Sequence, residues 1–191
     1  MYFKKITELT EVRMRTVHSF DEEGNRVRDY EEYDAPREVK PIGGWARFGH
    51  YIVDTVILYL LILITVFVAS VGYGVAAKSG FDEYEEVFNL LVSGSILLVY
   101  PVYYIFCESI WQRTPGKLLT KAYVIDEYGR KPEFGTILLR TVIRFVPFEY
   151  FSCLGEPSRG WHDQWSKTWV VHKTELEELK RLLAEQDEDY F

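Results

Sequence analysis

Three ionisable side chains stand at the start of the longest apolar stretch of the chain. Arg47, His50 and Asp54 precede or enter it, and the 23 residues from Thr55 to Ala77 carry no charge. Residues three and seven positions apart share one face of a helix, so the three side chains form a polar stripe. A carboxylate in this place must be protonated, paired or packed against protein. Two interpretations stay open: Asp54 belongs to an internal salt-bridge network, or it binds a proton or a cation.

Further charged residues are predicted to lie at the same end of the membrane domain. One interpretation joins them to the stripe as a network of ion pairs that keeps polar backbone at membrane depth. The other makes the whole set a binding cluster for an ion, a proton or a ligand. The five additional residues are Glu108, Lys117, Arg140, Arg144 and Asp163.

The chain carries no signature of a common enzyme or nucleic-acid-binding class. GxSxG, GxxxxGK[ST] and GxGxxG are all absent, and the net charge of −7 disfavours nucleic acid. Cys107 and Cys153 have no CxxC spacing and are predicted to be apolar, buried or lipid-facing thiols. We therefore expect neither catalysis nor a cofactor. The histidines lack metal-ligand spacing among themselves, which disfavours a zinc site; they are His18, His50, His162 and His172.

Two membrane-spanning helices are predicted to position the charged set, over about 49–73 and 87–107. About 20 apolar residues, at roughly 1.5 Å each, cross the hydrocarbon layer. The connection between them carries Lys78 against several acids, whereas the outer flanks are rich in lysine and arginine. By the positive-inside rule, both termini lie in the cytoplasm and the acidic loop lies outside.

The remaining chain is predicted to be cytosolic or interfacial. Residues 1–44 form an extension with strands at about 11–20 and 26–34 around a turn at Gly24-Asn25. Within the membrane domain, 45–173, Lys121–Asp126 is expected to pair with Thr168–His172 in a small sheet.

An amphipathic helix over about 134–150 is predicted to lie at the interface or to re-enter the membrane, with Arg140 and Arg144 facing phosphates or protein carboxylates. A third span at 134–154 remains an alternative. A leucine-striped helix follows in 174–191, with Thr174 as its N-cap, and docks on the cytosolic part or on a partner. The fold class is a mainly α membrane protein with two transmembrane helices, this amphipathic helix, a small cytosolic β-sheet and a C-terminal amphipathic helix.

Several short motifs follow one another along residues 45–172. They are Arg47-x6-Asp54, Glu108, Thr114-Pro115-Gly116-Lys117, Val124-Ile125-Asp126 with Gly129, Leu139-Arg140 with Arg144, and His162-Asp163-x4-Thr168-x-Val170-Val171. This order resembles the RDD family of bacterial membrane proteins, named for one arginine and two aspartates. The resemblance maps these three onto Arg47, Asp54 and Asp163. His50, where the family usually has a small residue, and Gln112-Arg113, in place of Gly-Gln, depart from the pattern.

The resemblance implies a multi-pass protein of the bacterial cytoplasmic (inner) membrane. Ligand transport has been suggested for the family, and some members are considered cation/proton antiporters. Because two spanning helices enclose no pathway, transport would need a homo-oligomer or a partner membrane protein. One hypothesis is an oligomeric transporter with Asp54 as the coupling carboxylate. The other is a non-transporting scaffold or accessory subunit that recruits partners through its cytosolic segments.

Overall fold

A computed structural model of the protein describes residues 4–20, 25–78 and 85–188. In chain order the elements are a 3₁₀ turn at Ile6–Glu8, strands β1 (Thr10–Phe20) and β2 (Arg26–Pro36), helices α1 (Gly44–Lys78), α2 (Glu85–Trp111) and α3 (Pro115–Leu118), strand β3 (Ala122–Ile125), helix α4 (Phe134–Ile143), a 3₁₀ helix at Glu149–Leu154, helix α5 (Trp161–Trp165), strand β4 (Trp169–His172) and helix α6 (Lys173–Glu188).

The chain divides into two compact units. The central unit comprises Pro41–Asp126 and Arg130–Lys173. The terminal unit comprises Met1–Lys40, Glu127–Gly129 and Thr174–Phe191, so the two ends predicted as separate segments belong to one body. The predicted turn at Gly24 and the acidic residues Asp82 and Glu83 lie outside the described residues.

The two long helices of the central unit have the length and composition of membrane spans. α1 has 35 residues and α2 has 27, a few more at each end than the predicted spans. In the most apolar 18-residue stretch of each helix, protein buries only 11 % in α1 and 17 % in α2. Apolar side chains exposed over this much surface are suited to lipid rather than to water. The helices meet in a small core formed by Leu58, Tyr103, Tyr104 and Cys107.

The amphipathic helix is shorter than the sequence predicted. α4 ends at Ile143 rather than near residue 150, and turns lead from it to the 3₁₀ helix at Glu149–Leu154. Pro147 accounts for the end, because proline lacks an N–H and disfavours helical geometry in the residue before it. At roughly 1.5 Å per residue, ten residues cover about half of a bilayer core, so α4 is not a third span.

The predicted small sheet is confirmed and fixes the start of α1. β3 pairs antiparallel with β4, with Val124 opposite Val170. The Ile42 N–H donates to the Val170 carbonyl at 2.9 Å, and Ile42 packs with Ala122, Val124 and Val170. The chain entering α1 is therefore tied to the sheet two residues before the helix begins, which sets the position of Arg47.

The terminal unit contains the predicted hairpin and the C-terminal helix. β1 and β2 pair along 11 residues each, with Val17 opposite Asp29. α6 begins at Lys173, so Thr174 lies inside its first turn rather than at the predicted N-cap. The helix buries its stripe of Leu176, Leu179 and Leu183. The leucines therefore form the core of this unit and are not free for a partner.

Candidate functional site

All eight predicted site residues lie in the central unit, and none is more than 7 % exposed. α1 contributes three of them, on the one face expected from their spacing. The rest come from α2, α3, α4, the residue after α4 and α5. They are Arg47, His50, Asp54, Glu108, Lys117, Arg140, Arg144 and Asp163.

An unbroken series of ion pairs joins six of these residues. Asp163 accepts hydrogen bonds from Arg47 Nη1 at one carboxylate oxygen and from Arg140 Nη1, at 2.7 Å, at the other. Arg140 also reaches Glu108 through its Nε, at 3.2 Å. The arginines thus face protein carboxylates, as one of the two sequence alternatives held.

Glu108 is the second centre of the series. It accepts from Lys117 Nζ at 2.6 Å and from Arg144 Nη2 at 2.7 Å, in addition to Arg140. Glu108 is 1 % exposed, so three cations surround a carboxylate with almost no access to water. We call these six residues the ion-pair chain: Arg47, Asp163, Arg140, Glu108, Arg144 and Lys117.

Electrostatics keeps Asp163 ionised. Burial by itself would raise the pKa of its carboxyl group, but Arg47, His162 and Arg140 outweigh that effect and hold the pKa well below its usual range. An ionised Asp163 can hold both arginines at once, which links the first turn of α1 to α4 and α5.

Asp54 has a different environment from the other acids. Its carboxylate accepts from Tyr103 Oη at 2.7 Å, from Thr114 Oγ1 at 2.6 Å and from the Gly116 N–H at 2.8 Å. These donors are uncharged, and they come from α2 and from the Thr-Pro-Gly-Lys motif. Asp54 therefore ties α1 to α2 and α3, which favours the structural interpretation of this residue.

Gly116 is required by this contact. A Cβ at this position would lie 2.5 Å from the His50 carbonyl oxygen and 2.9 Å from Asp54 Oδ1. Because one of these neighbours is helix backbone, it cannot move aside for a side chain. The glycine of the Thr-Pro-Gly-Lys motif thus permits α3 to touch α1. The adjacent His50 side chain shares a hydrogen bond with Thr120.

A cavity with apolar and charged walls lies beside the ion-pair chain. It offers about 60 Å³ to the centres of water molecules, and a single water needs roughly 10–15 Å³ by this measure. Its walls include Arg47, His50, Asp54, Lys117 and Arg144 of the predicted set, together with Tyr51, Tyr104, Glu149, Tyr150, Cys153 and His162. Glu108, Arg140 and Asp163 are not in its walls.

Three residues of the cavity wall each carry a buried polar atom with open hydrogen-bonding capacity. Arg47 Nη2, Arg144 Nη1 and Glu149 Oε2 are buried and have no hydrogen-bond partner among the described residues. An unpaired buried polar atom is unfavourable, on the order of 1–3 kcal/mol. Two donors and one acceptor in residues of the cavity wall are thus left without a partner.

Glu149, Cys153 and His162 were not predicted as site residues. His162 Nδ1 contacts Glu149 Oε1, Cys153 Sγ lies 3.8 Å from Arg47 Nη1, and one ligand-type atom from each of the three lies within 4.8 Å of the others. Burial raises the pKa of the Cys153 thiol above its usual value. Among the described residues this is the group that could hold a metal ion. Its only sequence signal is the four-residue spacing of Glu149 and Cys153, since its ligands are of three different types.

Comparison with known proteins gives one match. A family model described as RDD family matches residues 42–167, which is more than half of the chain and contains the complete ion-pair chain. No curated protein and no solved structure matches the sequence.

Proposed function

The chain belongs to the RDD family, and on that premise we propose that this membrane protein is a subunit of an oligomeric transporter for cations, protons or small polar ligands. The transported species would bind in the cavity beside the ion-pair chain. The proposed location is the bacterial cytoplasmic membrane, with both termini in the cytoplasm, as the charge distribution favours. The proposal includes no catalytic step, in keeping with the absence of enzyme signatures from the sequence.

The observation that carries this proposal is the cavity together with the unpartnered polar atoms of the residues that line it. A network that served only to stabilise the fold would satisfy its buried donors and acceptors internally. Here Arg47 and Arg144 each use one guanidinium nitrogen in an ion pair and keep a second one without a partner. Glu149 likewise keeps one free carboxylate oxygen. Unpaired donors together with an unpaired acceptor suit a hydrated ion or a small polar ligand.

The contacts support different roles for the predicted residues. Asp163 and Glu108 hold the cations in place, and Asp54 holds α3 against α1. We therefore transfer the proposed binding role from Asp54, which has three donors already, to Arg47, Arg144 and Glu149.

Transport further requires an assembly of several chains. Two spanning helices leave a single subunit without an enclosed path across the bilayer. Most of the surface of α1 and α2 is apolar and uncovered by protein, so it is available to lipid and to neighbouring subunits alike.

Flux measurements on purified protein in liposomes test the proposal. We expect cation-driven proton movement or ligand uptake above that of protein-free liposomes, reduced at least tenfold by Glu149→Gln. The matched control is Glu31→Gln, because Glu31 is an exposed residue of β2 and should leave flux unchanged. Absence of flux for Na⁺, K⁺ and H⁺ and for small charged solutes would contradict the proposal, as would a strictly monomeric protein in mild detergent.

The hairpin supports a second candidate function, a scaffold that recruits partners. Val12, Met14, Phe20 and Tyr30 share one face of the hairpin, and each is at least 64 % exposed. Within the described chain the hairpin is a two-stranded sheet, so both of its edges can accept an added strand.

Affinity purification from mild detergent tests this second candidate. Under it, the combination of Met14→Lys and Tyr30→Lys should release a stoichiometric partner protein. Ser19→Lys, on the opposite and also exposed face, should retain that partner. A wild-type protein that purifies alone would remove support for the scaffold. Deletion of 174–191 is a poorer test, because it would remove the leucines that fill the core of the terminal unit.

A further inference from the structure

Three buried side chains on the cavity wall are of the types that bind zinc. They are Glu149 and Cys153, four residues apart in the 3₁₀ helix, and His162 of α5. We propose that these residues form a binding site for a divalent transition-metal ion of the zinc class, and that this site exists whether or not the protein transports anything. Carboxylate, thiolate and imidazole are the ligand set of zinc, whereas magnesium and calcium prefer oxygen alone.

The backbone leaves space for an ion at the point where the three side chains converge. Their ligand-type atoms lie within 4.8 Å of one another. A Cβ at Gly160 would lie 2.5 Å from Cys153 Sγ, 3.0 Å from Glu149 Oε1 and 3.1 Å from His162 Cε1. Residue 160 thus faces all three ligands, and any side chain there would occupy the space between them.

An unpartnered oxygen provides an independent indication of a bound cation. Glu149 is fully buried, and its Oε2 has no hydrogen-bond partner among the described residues. Its other oxygen, Oε1, is already engaged by the His162 ring and backbone N–H. A metal ion bound by both oxygens of this carboxylate would satisfy the oxygen that the protein leaves without a partner.

The second shell is arranged as in histidine–metal sites. In the metal-free protein His162 Nδ1 contacts Glu149 Oε1, and a metal ion would take Nδ1 by replacing this contact, while Nε2 lies 3.3 Å from Asp163 Oδ1. A metal-binding histidine commonly donates its other ring N–H to a carboxylate, which fixes the tautomer and orients the ring. Asp163 would fill this positioning role while holding the two arginines. A water molecule from the cavity, which all three ligands line, supplies the fourth ligand.

The charge balance of metal binding is favourable despite the nearby arginines. Binding forms a metal–sulfur bond as the Cys153 S–H bond breaks, and the proton leaves to water. The dication with the Glu149 carboxylate and the Cys153 thiolate sums to zero. The site therefore changes by one unit of charge, from the single negative charge of Glu149, rather than by two. Arg47 Nη1, 3.8 Å from Cys153 Sγ, favours the thiolate.

Cobalt titration of the purified, chelator-treated full-length protein in mild detergent tests the site. We expect one equivalent of Co²⁺ to produce a thiolate-to-cobalt charge-transfer band, and Zn²⁺ to displace it. Cys153→Ser should abolish the band, and the matched control Cys107→Ser, at the other buried cysteine, should keep it. Glu149→Gln and His162→Gln should each weaken binding by at least about 10-fold, since loss of a second-shell partner alone has that effect. Absence of the band, or its survival in Cys153→Ser, would overturn the proposal.

A measurement on the unaltered protein keeps the proposal testable if the variants fail to fold. X-ray absorption of the zinc-loaded protein should reveal one sulfur at about 2.3 Å and nitrogen or oxygen ligands at about 2.0–2.2 Å. A first shell without sulfur, or no bound zinc, would refute the site. Both experiments are equilibrium measurements, so a failure to transport would leave their outcome unchanged.

Discussion

Two ion pairs of equal length lie in the two units of the protein. In the central unit, Arg140 and Asp163 are 2.7 Å apart, and both side chains are 0 % exposed. In the hairpin of the terminal unit, Arg15 and Glu31 are also 2.7 Å apart, with side chains 59 % and 55 % exposed. The distance is the same, and the exposure to water differs completely.

This difference decides what each pair does for the protein. Water screens the hairpin pair, so its contribution to stability is small. The buried pair interacts in a medium of low dielectric constant, where either charge alone would be strongly unfavourable. At the same N···O distance, the ion pair of the central unit therefore constrains the fold, whereas the ion pair of the hairpin contributes little to stability.

Removing Arg140 should have the largest effect. Arg140→Ala leaves Asp163 and Glu108 each short of a cation, which we expect to lower the free energy of unfolding by about 3–5 kcal/mol. Tryptophan fluorescence during denaturation in detergent measures this selectively, because all five tryptophans lie in the central unit. A loss below about 1 kcal/mol would mean that burial does not distinguish the two pairs.

Arg37 distinguishes the effect of burial on stability from the effect of the unit in which a residue lies, because it is a buried cation of the terminal unit. It is 4 % exposed, its guanidinium contacts Glu175 at 2.9 and 3.1 Å, and it also contacts Glu178 at 3.1 Å. Arg37→Ala should destabilise this unit by about 2–3 kcal/mol, as expected for charged hydrogen bonds. Hydrogen exchange of β1, β2 and α6 is the measurement. Unchanged protection would show that the unit matters more than burial.

Asp54→Asn extends the comparison to a buried acid held by neutral donors. The amide keeps the size of the side chain but replaces one acceptor with a donor that faces its present hydrogen-bond donors. We expect a loss of about 1–3 kcal/mol, smaller than for Arg140→Ala, since no cation is left unpaired. The same fluorescence measurement applies. A loss larger than that of Arg140→Ala would identify Asp54, rather than the ion-pair chain, as the main constraint.

The smallest effect is expected on the hairpin surface. Arg15→Ala should change the free energy of unfolding by about 0–1 kcal/mol, and a double-mutant cycle with Glu31→Ala should give a coupling in the same range. Hydrogen exchange of β1 and β2 provides the measurement. A coupling comparable with that of Arg140 and Asp163 would end the distinction between the two units.

Much of this architecture was predictable from local sequence patterns. Apolar length indicated α1 and α2, alternation indicated the hairpin and the β3–β4 pair, and helical spacing placed Arg47, His50 and Asp54 on one face. The end of α4 was missed because the apolar pattern continues past Pro147, although the helix does not.

The partners within the site could not be predicted in the same way. Which acid meets which base depends on tertiary packing, and Asp54 accepts only from neutral donors although the predicted set contains four lysine and arginine cations. The Glu149–Cys153–His162 group was not predictable, because its three ligands are of different types and have no ligand spacing within either the histidines or the cysteines. Their proximity arises only when the 3₁₀ helix and α5 meet at Gly160.

The contact between Arg47 and Asp163 spans 116 positions of the chain. At a synthesis rate of roughly 5–20 residues per second, about 6–23 s separate the appearance of the arginine from that of its counter-ion. During this interval α1 is already apolar enough to enter the bilayer, while its first turn carries a charge without its final partner. The first turn of α1 therefore gains its counter-ion only when α5 has been synthesised. A chain stopped before residue 163 is expected to be a target for membrane quality-control proteases.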